Sequence, residues 1–240
     1  MESVNFAGMP APVVRPVEFV PHHGVIIPGS RQPVAGMPGR FTALSVRYTG
    51  FDVSNELGFF VGLMTATSVA EAAAAQAYFR VGNQNWIVID TDSIRWSSGV
   101  RIPTRDDRAT DLVIAADGGM TGDCPNFVLS GTSGEHEWTG DLDLRFVPHD
   151  EDPARGWIAT ANQDNVGVTA DGNVCNDPHF LGGGYEYGWR EDHIAGRLTE
   201  LATRGGITVE DMQELQALTR SSTGTLMRDT IVGILGDATA

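Results

Sequence analysis

The residues of this chain best suited to chemistry are Asn162 and Arg190, which bracket a polar loop dense in Asn, Asp and Gly. An amide delivered at the end of a strand offers two donors that do not titrate, a good group to aim at a developing negative charge. Asn at a strand exit also starts turns, since its side chain mimics a backbone turn and it tolerates left-handed geometry. Local chemistry alone points to the turn. His22 and His23 could be metal ligands, but neighbours on a strand face opposite ways and no nearby third ligand stands in the sequence, so they read as an exposed turn. Gly131-Thr132-Ser133-Gly134 with His136 close by suggests a serine nucleophile, yet Glu135 stands where the strand-turn-helix serine motif needs a second Gly, and the cluster reads as a loop. The run His149-Asp150-Glu151-Asp152 could gather a cation, although adjacent charges on a loop are mostly just solvated.

The elements that must position these residues can be read from the pattern. From Gly156 a short apolar strand runs toward Asn162. Arg190 falls on the first turn of a helix in which Ile194, Leu198 and Leu201 recur at i, i+4 and i+7, and Gly205-Gly206 stop it. Thr208 with Asp211 caps the next helix, in which Met212 and Leu215 are expected to face inward, and a last helix is predicted from about 226 to 235. Upstream, Ser68 and Glu71 have capping-box spacing before AEAAAAQAYF, a helix to about Phe79. NQNWIVIDTDSIRW reads as a hairpin, strands 86–89 and 94–96 about a turn at 90–93. FTALSVRYTG alternates Leu44, Val46 and Tyr48 against Ser45 and Arg47, as a half-buried strand should. The prolines of the first thirty residues exclude a helix and confine extended pieces around 13–20 and 25–27 to sheet edges. The segment 101–133, with RDDR and then DGGMTGDCPN, carries no readable pattern. The fold class is therefore α+β, with a β-rich part over 1–187 and a helical segment over 188–240.

Composition sets further limits. The 240 residues include 29 Gly and 12 Pro, a loop-rich and largely β composition. With 31 acidic against 16 basic side chains, the net charge of -15 repels nucleic acid and anionic membranes, so neither is an expected partner. No run of about 18 apolar residues encodes a membrane span. The first twenty residues lack the basic start and apolar core of a secretory signal. Cys124 and Cys175 are too few for a disulfide framework and too far apart for a metal knuckle; a bridge between them and two buried free thiols are both open.

Three stretches, taken in order, resemble the β-chain of the penicillin acylase family, which also contains cephalosporin and acyl-homoserine-lactone acylases. They are ALSVRYTG followed by GNQNWIVIDTDSIRW, Pro103 and Arg105; Trp138-Thr139-Gly140 leading through Asp152-Pro153 and Gly156 to ATANQ; and YEYGWREDHI followed by LTELATRGGITVEDMQELQALTRS. Their order and spacing cover most of the chain. The resemblance implies part of an αββα N-terminal-nucleophile hydrolase that cleaves linear acyl-amide bonds. In that family the first Ser of the β-chain attacks, and its own α-amino group, of unperturbed pKa about 8, serves as the base. Asn162 matches the Asn whose amide donates to the oxyanion, and Arg190 an Arg that orders the nucleophile and that Asn.

Departures shape the expectation. The Ser-led stretch that opens the family's β-chain has no counterpart here, so the chain is expected to be inactive alone, with the α-chain and further β-chain segments as partners and a small acyl amide as substrate; the alternative reading is a non-catalytic β-rich binding module that holds calcium at its acidic loop. His193 replaces a usual Arg, Val25 follows His-Gly where Pro is usual, and Asp92-Ser93 turns the hairpin where Gly-Asn is usual. No catalytic cofactor is implied. A structural calcium is a family feature, and Asp171, with Asp164 and Asn173, lies near the place of one ligand, though no tight site is expected without the other ligands. Intact family enzymes are expected in the periplasm or outside the cell.

Overall fold

The computed structural model describes all residues except 100, 107–109, 221 and 238–240; Asp107 and Arg108 of the RDDR stretch thus lie outside the described residues. The N-terminal part is a set of short antiparallel pieces. β1 (Glu2–Val4) pairs with β2 (Val13–Arg15), and β3 (Phe19–Val20) turns through Pro21–His23 into β4 (Gly24–Ile26). The hairpin of β5 (Gln32–Pro33) and β6 (Phe41–Thr42) follows, and β7 (Ser45–Val46) returns to β4. Gly24 has φ +83, and a Cβ there would lie 2.1 Å from the Val46 carbonyl oxygen, so glycine permits this crossing. The alternation over 41–48 is realised as β6 and β7, but Leu44, Val46 and Tyr48 are 43%, 44% and 48% exposed.

Two helices come next. α1 (Glu56–Thr65) has no clear sequence signature, because ELGFFVGLMT is apolar on every side; Asn55 caps it by accepting from Gly58 N. α2 (Val69–Ala75) continues as a 3-10 turn over Gln76–Tyr78, in agreement with the capping-box spacing: Ser68 accepts from Glu71 N. The Glu71 carboxylate accepts from the Thr67 N–H and hydroxyl, one residue before the expected partner. Gly62 of α1 faces Ala75 of α2 so closely that a Cβ would lie 2.5 Å from the Ala75 Cβ.

The predicted hairpin is present as β8 (Trp86–Ile89) and β9 (Ile94–Ser97). Asp90 holds both its turn and α2, one oxygen accepting from the Asp92 and Ser93 N–H groups and the other from Val69 N at the helix start. These amide donors lower the Asp90 pKa. β10 (Pro103–Arg105) precedes the small ladder of β11 (Val113–Ile114) and β12 (Met120–Thr121), then pairs with β13 (Trp138–Asp141), and β14 (His149–Glu151) adds to β9. Phe59, Ala75 and Phe79 form one core cluster with Leu63 and Trp86 against them, and the Phe59 and Trp86 rings meet edge to face at 4.5 Å. A second cluster holds Leu112 and the cysteines, which are joined in a disulfide with their Cα atoms 5.6 Å apart, closing the question in favour of the bridge.

The C-terminal part is helical. α3 (Trp189–Arg204) buries Leu198 and Leu201 and ends at Gly205 and Gly206, both at positive φ. α4 (Val209–Gln216) begins with the full capping box of Thr208 and Asp211, reinforced by Arg204 on the same carboxylate. That guanidinium holds Asp211 far below the usual carboxylate range. Met212 is exposed rather than inward-facing, and Leu215 is half-buried. α5 (Ser222–Asp237) begins earlier than its apolar residues suggest, its Ser222 hydroxyl donating to the Trp189 carbonyl. No helix among the described residues is long and apolar enough to cross a membrane.

Candidate active site

A groove of about 530 Å³ opens where the hairpin, β10 and the 162–185 loop meet. Its titratable lining groups are arginines and tyrosines: Arg80, Arg101, Arg105, Tyr48 and Tyr185; no carboxylate or imidazole lines it among the described residues. The arginines are held from behind. Arg101 bridges Asp52 and Asp141 at 2.8 and 3.1 Å, and Arg80 shares Asp141. Arg105 lies over the Trp138 and Phe180 rings, and burial lowers its pKa, although a guanidinium remains charged at neutral pH. The wall is thus donor-rich, suited to a carbonyl oxygen, with the charges of Arg80 and Arg101 offset by Asp52 and Asp141 and that of Arg105 left over the rings.

Asn162 lines this groove. The strand expected to deliver it does not form: 157–160 are not in a ladder, because no strand among the described residues runs alongside, and the only pairing nearby is a single bridge between Gln163 and Glu186. Side chains and backbone conformation do the aiming instead. Asn162 sits at φ 66, a left-handed value that Asn adopts more readily than most residues. Its carbonyl accepts from Glu186 N at 2.9 Å. Gln163 braces the approach, accepting from Ala161 N at 2.5 Å and donating to the Ala159 carbonyl and to Asn165 Oδ1.

Arg190 completes the arrangement from the first turn of α3. Its Nη2 donates to the Ala161 carbonyl and to Asn162 Oδ1, each at 2.7 Å. A guanidinium can only donate, so the amide oxygen must face it, and the Asn162 Nδ2 with its two protons is directed elsewhere. Among the described residues nothing accepts from that nitrogen. Arg190 itself is not part of the groove lining; it stands behind Asn162. Both readings of Asn162, as a turn residue and as an aimed donor, are therefore compatible in one geometry. Gln163, the last residue of ATANQ, was not singled out from sequence, since its bracing role depends on a fold-back that short-range pattern does not reveal.

The other sequence candidates lie elsewhere. Asp164 accepts from the N–H groups of Val166, Gly167 and Thr169 and from the Thr169 hydroxyl, and Asp171 from Asn173 N and Asn176 Nδ2. Asn173 donates to the Leu112 carbonyl. These oxygens shape the turns of the 164–176 loop. Asp177, with a buried unpartnered Oδ2, has its pKa raised by desolvation and by Asp171 and Asp164. The acidic run at 149–152 is divided among separate partners: Asp150 pairs with Arg155, Glu151 with Arg95, and Asp152 accepts from Ile94 N and the Ser93 hydroxyl. His136 is fixed between the Ser130 carbonyl at 2.8 Å and Asp123 at 2.9 Å, so neither ring nitrogen serves Ser133.

Comparison with known proteins places this geometry in context. The Penicillin amidase family model matches residues 2–239. The chain belongs to the penicillin amidase family. Similar relatives include an acyl-homoserine lactone acylase QuiP of Pseudomonas syringae pv. tomato, 26% identical over 80% of this chain and 20% of its own length. The protein of the same name from Pseudomonas fluorescens Pf-5 is 31% identical over 45% of this chain and 11% of its own. The chain spans about a fifth of the length of the first of these relatives. Among solved structures, the thermostable penicillin G acylase from Alcaligenes faecalis superposes with a TM-score of 0.55 at 16% identity, covering 89% of this chain and 33% of that one. At that identity the likeness shows the fold, and it agrees with the α+β reading.

Proposed function

We propose that this penicillin amidase chain supplies the oxyanion-binding side of an amide hydrolase, with Asn162 as donor and Arg190 as its positioning residue. The observation that carries the reading is the bond from Arg190 Nη2 to Asn162 Oδ1, which leaves Nδ2 free on the groove wall. In acyl transfer, attack on an amide carbonyl turns its oxygen into an anion, and a preorganised neutral donor stabilises that charge without titrating. Loss of one such donor lowers turnover by roughly 10²–10³. The names of the relatives, acylases in each case, support a linear acyl amide as substrate.

The groove offers donors but no base. The chain has sixteen arginines and no lysine, a guanidinium does not accept a proton at neutral pH, and none of the six histidines lines the groove among the described residues. The attacking Ser and its α-amino base, together with the α-chain and other β-chain segments, belong to sequence beyond these 240 residues in this proposal. The Cys124–Cys175 bridge supports an oxidising compartment such as the periplasm. The test is hydrolysis of a chromogenic acyl amide by the purified chain. No turnover above buffer is expected, and turnover that Asn162→Ala abolishes would overturn the assignment of the nucleophile to other segments.

A further inference from the structure

The turn between β3 and β4 brings together what the sequence separates. Neighbouring residues on a strand would face opposite ways, but His22 and His23 lie on a turn and their ring centroids are 4.3 Å apart. The third ligand that was not evident nearby in sequence is Glu137, immediately before β13. Its Oε1 lies 3.1 Å from His23 Nε2 and 3.9 Å from His22 Nε2. One donor atom from each of the three residues lies within 4.8 Å of the other two.

These separations suit a small tetrahedral ion. Bonds of about 2.0–2.1 Å place ligand atoms roughly 3.3 Å apart, close to the His23–Glu137 distance. Only His22 must approach, and its side chain is 65% exposed and makes no hydrogen bond of its own among the described residues. An ion pair alone would account for His23 and Glu137 but not for a second imidazole nitrogen 3.9 Å from the same carboxylate oxygen. Two imidazoles and one carboxylate form a donor set typical of zinc, with water at the fourth position. His23 Nε2 also lies 2.9 Å from the Gly131 carbonyl, so a metal on that nitrogen displaces a proton and a hydrogen bond.

We propose that His22, His23 and Glu137 form a zinc site that staples the β3–β4 turn to the start of β13. Because β13 pairs with β10, which contributes Pro103 and Arg105 to the groove, the staple would brace a groove wall from outside. The inference is independent of the hydrolase reading. The experiment is calorimetric titration of zinc into the chelator-treated chain near neutral pH, with cobalt as a spectroscopic substitute. One site of about micromolar affinity is expected, with cobalt giving the visible absorption of low coordination number. Glu137→Gln and His22→Ala should each weaken binding by about tenfold or more and abolish the zinc-induced rise in melting temperature. Unchanged melting of the metal-free variants would separate ligand loss from unfolding; Glu137→Gln keeps the side-chain shape should His22→Ala perturb the turn. Binding only at millimolar zinc, or binding that both variants retain, would overturn the proposal and assign the ion to the acidic surface at large.

Discussion

Asn162 combines a backbone demand and a side-chain demand that only a few residue types meet together. Its φ of 66 suits Asn or Gly, while the groove-facing donor requires the amide. Asn162→Gly and Asn162→Ala therefore remove the same donor but differ in strain. A left-handed non-glycine residue costs about 1–2 kcal/mol, whereas the flexibility of Gly in the unfolded chain costs about 0.4–1 kcal/mol the other way. Urea denaturation should find the Gly variant more stable than the Ala variant; the reverse order would show that the left-handed backbone does not persist in solution. His136 offers a second residue-level test. Its pKa is raised by the Ser130 carbonyl and by Asp123, against a smaller opposing effect of burial. A pKa higher in the folded than in the unfolded state contributes stability that is complete below the ordinary His value of about 6.5 and lost as pH rises through the folded value. The stability difference between the wild type and His136→Asn should shrink from pH 6 toward pH 8. A difference independent of pH would show that the imidazolium is not what the Ser130 carbonyl and Asp123 hold.

At the scale of elements, the crossing of α1 and α2 depends on one missing methyl group. In an exposed helix Gly62→Ala would gain about 1 kcal/mol of propensity, but here the new Cβ would lie 2.5 Å from that of Ala75. Overpacking typically costs about 1–3 kcal/mol, so net destabilisation is expected, and a rise in melting temperature would contradict the observed packing. The elements that could be read from sequence carried short-range signals: Ser68 and Thr208 at helix starts, Gly205-Gly206 at a helix end, and the apolar run that stops at the Asp90 turn. α1 could not be read because apolar residues on all its faces erase the helical period. The exposure of Leu44, Val46 and Tyr48 was equally hidden, since alternation reports two different faces but not whether anything covers the apolar one. At the site, motif order singled out Asn162 and Arg190. It could not anticipate that a left-handed residue and the Gln163 brace, rather than a strand, would hold the amide.

The whole molecule gathers contacts between residues distant in sequence. The disulfide joins positions 51 residues apart, Glu137 meets the histidines of the β3–β4 turn, and Arg101 ties Asp52 to Asp141 beneath the groove. Two cysteines or a lone Glu have no spacing that foretells such partners. The groove is the product of this folding, with one wall from 80–105 and the other from 162–185. On the function proposed above, Arg190 fixes the Asn162 amide so that Nδ2 donates into the groove. The most direct measurement is the side-chain amide resonance of Asn162 in nitrogen-15-labelled chain, assigned by its absence in Asn162→Gly, during titration with a short acyl carboxylate that presents its anionic oxygen to the groove. A saturable shift of that resonance is expected, lost in Arg190→Leu while the chain stays folded. A carboxylate that shifts the groove-lining residues and leaves the Asn162 amide unmoved would contradict it.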